Sequence, residues 1–141
     1  MSSIETAIDI QATPEKVWKI LIDFNAFPAW NPFIPHLAGS LEPGSRLEVC
    51  VKPPGGRGIT LHPRLLRADG RELRWLGRLF IPRLFDGEHS FTIEPLDGGG
   101  VRFHHRETFR GLLVLLLGGL LKNTRRGFEE MNLALKQRAE A

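Results

Sequence analysis

The spacing of the turn signals constrains this chain more than any other feature. Pro43-Gly44, Asp69-Gly70, a loop from Pro82 to Gly87, and Asp97-Gly98-Gly99-Gly100 cut the middle of the sequence into short runs. Those runs are "IPHLAGSL", "RLEVCVK", "GITLHPRLLRA", "ELRWLGRLF", "EHSFTIEPL" and "VRFHHRETF". Apolar runs bounded by Gly, Pro and Asp read as strands. Strands joined by short turns pair antiparallel, because a parallel pair needs a crossover of about a dozen residues or more. Six strands in this stretch therefore predict a meander. A seventh run, "SIETAIDIQ", sets Ile4, Thr6, Ile8 and Ile10 against Glu5, Ala7, Asp9 and Gln11, the alternation of a half-buried strand.

Helical patterns flank the strands. In "ATPEKVWKILIDF" Thr13 is suited to cap a helix and Pro14 to its first position. Val17, Trp18, Leu21 and Phe24 follow at helical spacing. "NAFPAWNPF" is broken by Pro28 and Pro32 and allows only a short second helix. From about Leu112 to Ala139 the chain reads as one long helix. Its stripe of Leu113, Leu117, Leu120, Thr124, Phe128, Met131 and Leu135 should face the sheet.

The start of that helix, "GLLVLLLGGLL" from Gly111 to Leu121, is apolar beyond one stripe. It is too short to span a bilayer, which takes about 20 apolar residues. Leu112, Val114, Leu115, Leu116 and Leu121 must be covered by loops, a partner chain or a ligand's tail. With the greasy "IPRLF" at 81–85 they predict an exposed apolar patch or a dimer contact. Gly118-Gly119 is either a deformable gate or a point of close backbone packing.

A length of 141 residues predicts one domain. Nineteen basic residues against 16 acidic ones give a net charge of +3, which permits anionic partners without arguing for one. The lone cysteine, Cys50, can form no intrachain disulfide. "MSSIETAIDI" lacks the pattern of a signal peptide, so the cytoplasm is expected.

Strand parity assigns the inward residues. On the last strand Val101, Phe103 and Phe109 share a face with His105 and Glu107. The strand before it turns in His89, Phe91 and Ile93, and the one before that Leu73, Trp75, Gly77 and Leu79. Trp75, His89 and His105 should come together. Residues two apart on one face stand about 7 Å apart, so His105 and Glu107 could pair only with a tilt or a water, and His89 is a candidate for the nearer partner of either. The set reads three ways: a structural network, a means of orienting a ligand's head group, or an acid–base group. No metal site is assigned. There is no Tyr to serve as an acid, Cys50 shares parity with the outward Arg46, Glu48 and Lys52, and "DGGGVRF" is a hairpin turn and no phosphate loop. His36 and His62 read as ordinary residues beside prolines, Trp18 as core, and Trp30 as core or a cavity wall. Outward Arg102, His104, Arg106 and Arg110 have acidic Glu88 and Glu94 on one side and, if the first strand pairs with the last, Glu5 and Asp9 on the other. That self-neutralised face argues against nucleic acid.

Three segments, "ATPEKVWKILIDFNAFPAWNPF", "DGEHSFTIEPLDGGGVRFHHRETFRG" and "TRRGFEEMNLALKQRAE", together resemble the START-like, or SRPBCC, superfamily, in particular its polyketide cyclase/dehydrase branch. The resemblance implies an α+β helix-grip fold over residues 1–141. A seven-stranded curved antiparallel sheet wraps around a long C-terminal helix, two short helices follow the first strand, and an apolar cavity lies between sheet and helix. No catalytic motif is shared across the superfamily, so the resemblance carries over a cavity and no active site. The expected ligand-binding set is Trp75, His89, Phe91, Phe103, His105, Glu107, Phe109, Leu113, Leu117 and Leu120. The first functional reading is binding, or transport, of a lipid, polyketide-like aromatic or isoprenoid, without cofactor or metal. One alternative is a cyclase or dehydratase that moves protons with His89, His105 and Glu107. Another is a protein-interaction module built on the apolar start of the long helix. The expected partner is an apolar small molecule, with no nucleic acid, no transmembrane anchor, at most transient membrane contact, and a monomeric or homodimeric state.

Overall fold

The computed structural model describes residues 2–79, 85–111 and 118–141, with side chains at all of these except 79, 85 and 118–121. Along the chain run β1 (Ser2–Ile10), α1 (Pro14–Ile22), a 3₁₀ turn (Phe24–Ala26), α2 (Phe27–Trp30), β2 (His36–Ala38), β3 (Glu48–Val51), β4 (Ile59–Leu61), β5 (Arg64–Ala68), β6 (Glu72–Leu79), β7 (Phe85–Pro95), β8 (Val101–Arg110) and α3 (Gly118–Glu140). Thr13 Oγ1 accepts from the Lys16 N–H at 3.1 Å and Pro14 opens α1, so this helix starts where its capping residues set it. The described part of α3 begins at Gly118. The expectations for Leu112, Leu113, Val114, Leu115, Leu116, Leu117 and the 81–85 loop, including the apolar patch or dimer contact, lie outside the described residues.

All pairings are antiparallel. One sheet has the order β1-β8-β7-β6-β5 and the other β2-β3-β4. The first strand closes on the last, with Thr6 opposite His105 and Ile8 opposite Phe103. Eight described strands replace the expected seven because the run at 58–68 is two strands, β4 and β5. Pro63 lies at the break and has no N–H to offer a ladder. The ladder with the preceding segment nevertheless crosses that break. Arg46 bridges Arg64, the Leu47 N–H donates to the Pro63 carbonyl at 2.8 Å, and the Leu65 N–H donates to the Ser45 carbonyl at 2.8 Å. The two sheets thus run into one another through this segment. A register shift between Leu65 and Arg67 adds a local bend. The loop expected up to Gly87 ends earlier, since β7 starts at Phe85 and holds Gly87 within the strand.

α3 lies along β1. Arg125 donates to the Glu5 carbonyl at 3.1 Å, Lys136 to the Asp9 carbonyl at 2.7 Å, and the Gln11 N–H to Glu140 at 2.8 Å. Its buried stripe holds Phe128, Met131, Leu135 and Ala139, with Asn132 buried among them. At Gly127 an added methyl would overlap the Phe33 ring, so the missing side chain is what lets Phe33 wedge against the helix. Phe27, Phe33, Phe91 and Phe103 are among the largest fully buried side chains of the core. Burial of such rings contributes roughly 1.5–3 kcal/mol each. Trp30 packs on Phe27, with ring centroids 5.3 Å apart. No described helix is long and apolar enough to cross a membrane.

Candidate functional site

Register brings the inward polar residues together. Trp75 on β6 stands opposite His89 on β7, and His89 stands opposite Glu107 on β8. His105 is the diagonal neighbour of His89, since it pairs with Phe91. Directly opposite and diagonal positions are both within reach of long side chains. His89 uses both. Its Nδ1 lies 2.9 Å from Glu107 Oε2 and its Nε2 lies 2.7 Å from His105 Nε2. The missing link between His105 and Glu107 is therefore His89.

The chain continues onto the helix and the first strand. His105 Nδ1 lies 3.0 Å from Asn132 Oδ1, Asn132 Nδ2 donates to Thr6 Oγ1 at 2.8 Å, and Thr6 Oγ1 donates to the His105 carbonyl at 3.0 Å. This pattern fixes the protons by elimination. The Thr6 hydroxyl has one proton and gives it to a backbone carbonyl, so toward Asn132 it can only accept. That turns the Asn132 oxygen to His105, whose Nδ1 must then carry the hydrogen. Burial, and then the charge of His89, push the His105 pKa well below the ordinary value, against the hydrogen bond that His105 donates to Asn132. A neutral His105 offers Nε2 as an acceptor, and His89 Nε2–H donates to it. One contact is left, between His89 Nδ1 and Glu107 Oε2, and it holds a single shared proton. The pair is either imidazolium with carboxylate or imidazole with carboxylic acid.

Aromatic rings wall the chain off. Trp75 stacks on His89 at 5.1 Å and Phe128 lies parallel to His105 at 3.8 Å, while Phe91 packs at a tilt against both imidazoles. His105 is fully buried.

His89 and Glu107 also form the polar edge of an apolar pocket of about 130 Å³ between the sheets and α3. Trp75, Phe109 and Thr124 complete the wall on the β6–β8 and helix side. Phe33, Val49, Val51, Ile59 and Leu61 form the opposite wall. A second pocket of about 290 Å³ adjoins it and shares Leu61, Gly77 and Glu107. Arg46, His62 and Arg78 give that adjoining space a basic lining, with Asp86 4.0 Å from Arg78. Gly77 and Gly87 face each other across β6 and β7, so a strip of sheet beside Glu107 bears no side chains. A methyl on Gly87 would come within 2.6 Å of Glu107 Oε1.

Of the residues expected around a cavity, Trp75, His89, Glu107 and Phe109 line the pocket. Phe91, Phe103 and His105 do not reach its surface. They lie behind His89 in the core, where Phe91 and Phe103 stack at 5.8 Å. Leu113 and Leu117 lie outside the described residues, as does the side chain of Leu120. Sequence reasoning missed Asn132 and the contribution of β3 and β4. The signals were there: Val49 and Val51 alternate with outward Glu48 and Cys50, and Asn132 follows Phe128 by four residues on an otherwise apolar stripe. Among the described residues no group of three His, Cys, Asp or Glu is arranged to hold a metal ion.

A family model described as polyketide cyclase / dehydrase and lipid transport matches residues 1–140. No curated protein matches the sequence. The fold is similar to several solved structures. A START superfamily protein from Mycobacterium smegmatis has a TM-score of 0.76 at 20% identity, over 98% of this chain and 97% of that one. The Zhui aromatase/cyclase from a Streptomyces species has a TM-score of 0.78 at 15% identity, over 99% of this chain and 93% of that one. The di-domain ARO/CYC StfQ of the steffimycin biosynthetic pathway has a TM-score of 0.73 at 14% identity, over 98% of this chain, which spans 50% of that chain.

Proposed function

Because the chain belongs to the polyketide cyclase / dehydrase and lipid transport family, we propose that it binds an apolar small molecule in the pocket between sheet and helix. The pocket's composition carries this reading. Its walls are aliphatic and aromatic, and its ionisable groups, His89 and Glu107, sit together at one edge. Apolar walls with a few convergent polar groups are the usual make-up of ligand sites. At about 130 Å³ the pocket is small. Typical sites for larger ligands measure roughly 300–1,000 Å³. A longer ligand would extend past Glu107 into the adjoining space of about 290 Å³. Native mass spectrometry of the purified protein, followed by titration with lipids, aromatic polyketide-like compounds and isoprenoids, tests the proposal. Saturable one-to-one binding is expected. A folded protein that retains and takes up none of these classes would sink it.

A second reading, an enzyme of cyclase or dehydratase type, has one observation in its favour: Glu107 reaches the pocket and its Oε2 lies 2.9 Å from His89 Nδ1. Turnover that disappears in Glu107→Gln while ligand binding persists would move the assignment to this reading.

A further inference from the structure

We propose that Glu107 Oε1 selects ligands bearing an ionisable hydroxyl, a phenol or an enol, and that Thr6, Asn132 and His105 are positioning residues that hold this oxygen ready behind His89. The inference rests on the binding reading above and extends it to the chemistry of the ligand.

Few polar atoms of the site remain for a guest. Both ring nitrogens of His89 are engaged, one by Glu107 and one by His105. Glu107 spends Oε2 on His89. Its Oε1 has no hydrogen-bond partner among the described residues and lies over Gly87, where the missing side chain leaves it room. The Glu107 side chain lines both pockets, so its carboxyl group lies where the apolar pocket meets the one with the basic lining. A carboxylate oxygen asks for a donor, and in an apolar ligand a donor is a hydroxyl or an amine.

The surroundings decide between them. Glu107 is the one acidic residue lining either pocket among the described residues, whereas Arg46 and Arg78 line the second one. A basic lining repels an ammonium group and favours a hydroxyl whose oxygen carries negative charge as it donates. Strong donors gain most here: Oε1 accepts in either state of the Glu107–His89 pair, and when the pair is carboxylate with imidazolium the hydrogen bond is roughly twice as strong as a neutral one. Phenols and enols are such donors; saturated alcohols are weaker. The relay keeps the carboxyl group available. With the Asn132 amide oriented by Thr6, His105 can only accept from His89, and His89 is left facing Glu107.

The test uses the full chain and three probes on related carbon frames: naphthalene, 1-naphthol and 1-naphthylmethanol. Calorimetric titration of the wild type should show 1-naphthol bound about tenfold more tightly than naphthalene, the effect of one hydrogen bond to a charged group. The alcohol should fall between them. In Glu107→Met the ratio of the naphthol and naphthalene affinities, both measured in that variant, should fall to near parity. If that variant does not fold, Gly87→Ala serves instead, because its methyl displaces Oε1 without removing a polar group. Nitrogen-15 NMR of labelled histidine adds a readout that a purely structural role would not move. The His89 nitrogens should shift on adding 1-naphthol and stay in place with naphthalene. Equal wild-type affinity for naphthol and naphthalene would overturn the inference and leave the binding reading intact, as would a preference that survives loss or displacement of the carboxyl group. If no probe binds the folded wild type, the binding reading falls and this inference with it.

Discussion

Strand β8 carries the same kinds of side chain on its two faces. On the outside Arg102 reaches Asp9 at 2.8 and 3.2 Å, His104 reaches Glu94 at 2.8 Å, and Arg106 approaches Glu5 at 3.7 Å. On the inside His105 and Glu107 are tied together through His89. The outer partners can each exchange their contact for water, so such pairs add little stability. The inner groups have no such alternative. Each must satisfy the next, and burial thereby turns a set of contacts into a fixed sequence of donors and acceptors. His104 and His105 are adjacent in sequence, yet the first balances charge at the surface and the second dictates where a proton sits next to the pocket.

This contrast can be broken experimentally. His105→Ala should have the largest effect, a loss of about 3 kcal/mol, because it opens a cavity and leaves Asn132 and His89 without their buried partner. His104→Ala should leave the urea midpoint within error, and comparable losses in both would erase the distinction between the faces.

Acid should come next. His105 is held neutral, with its pKa below that of the unfolded chain, so the unfolded state binds a proton that the native state refuses. Its contribution to stability is present above pH 6.5 and declines as pH falls below that value, by up to about 1.4 kcal/mol per pH unit. A His105→Phe variant should lack this component, so its unfolding free energy should fall less steeply from pH 6.5 to pH 5 than that of the wild type.

The glycine pair sharpens the comparison on a smaller scale. Gly87→Ala should cost about 1 kcal/mol, since the methyl forces Glu107 off His89 and disturbs one buried hydrogen bond. Gly77→Ala meets nothing closer than 3.8 Å and should be neutral in thermal melts. Smallest of all, Arg102→Ala should leave the melting temperature unchanged and shift only the titration of Asp9, whose carboxyl Arg102 holds below its usual range.

Much of this arrangement was legible in the residues. Alternation placed Trp75, His89, Phe91, Phe103, His105, Glu107 and Phe109 on one face, and the turn signals made β6, β7 and β8 neighbours. Parity assigns a face but not a depth. Whether an inward residue lines a pocket or lies beneath it depends on register, on sheet curvature and on how closely the helix approaches. Phe91, Phe103 and His105 therefore looked the same as Phe109 in sequence, although they lie a layer deeper. The relay's far end was hidden for a related reason: Asn132 meets His105 only through the angular position of α3, which Gly127 and Phe33 set from elsewhere in the chain. The break at Pro63 was visible as a proline. That its ladder continues across the break was not, because it depends on partners at 45–47.

The parallel stacking of Phe128 on His105, at 3.8 Å and 6° between planes, has a spectroscopic consequence. The carbon-bound protons of that imidazole lie over the face of a benzene ring, where the ring current shields them. They should resonate upfield of those of the other histidines and be resolved in a one-dimensional spectrum. If a guest draws Glu107 from His89 and His105 shifts with it, these resonances should move, and they would report occupancy without a label.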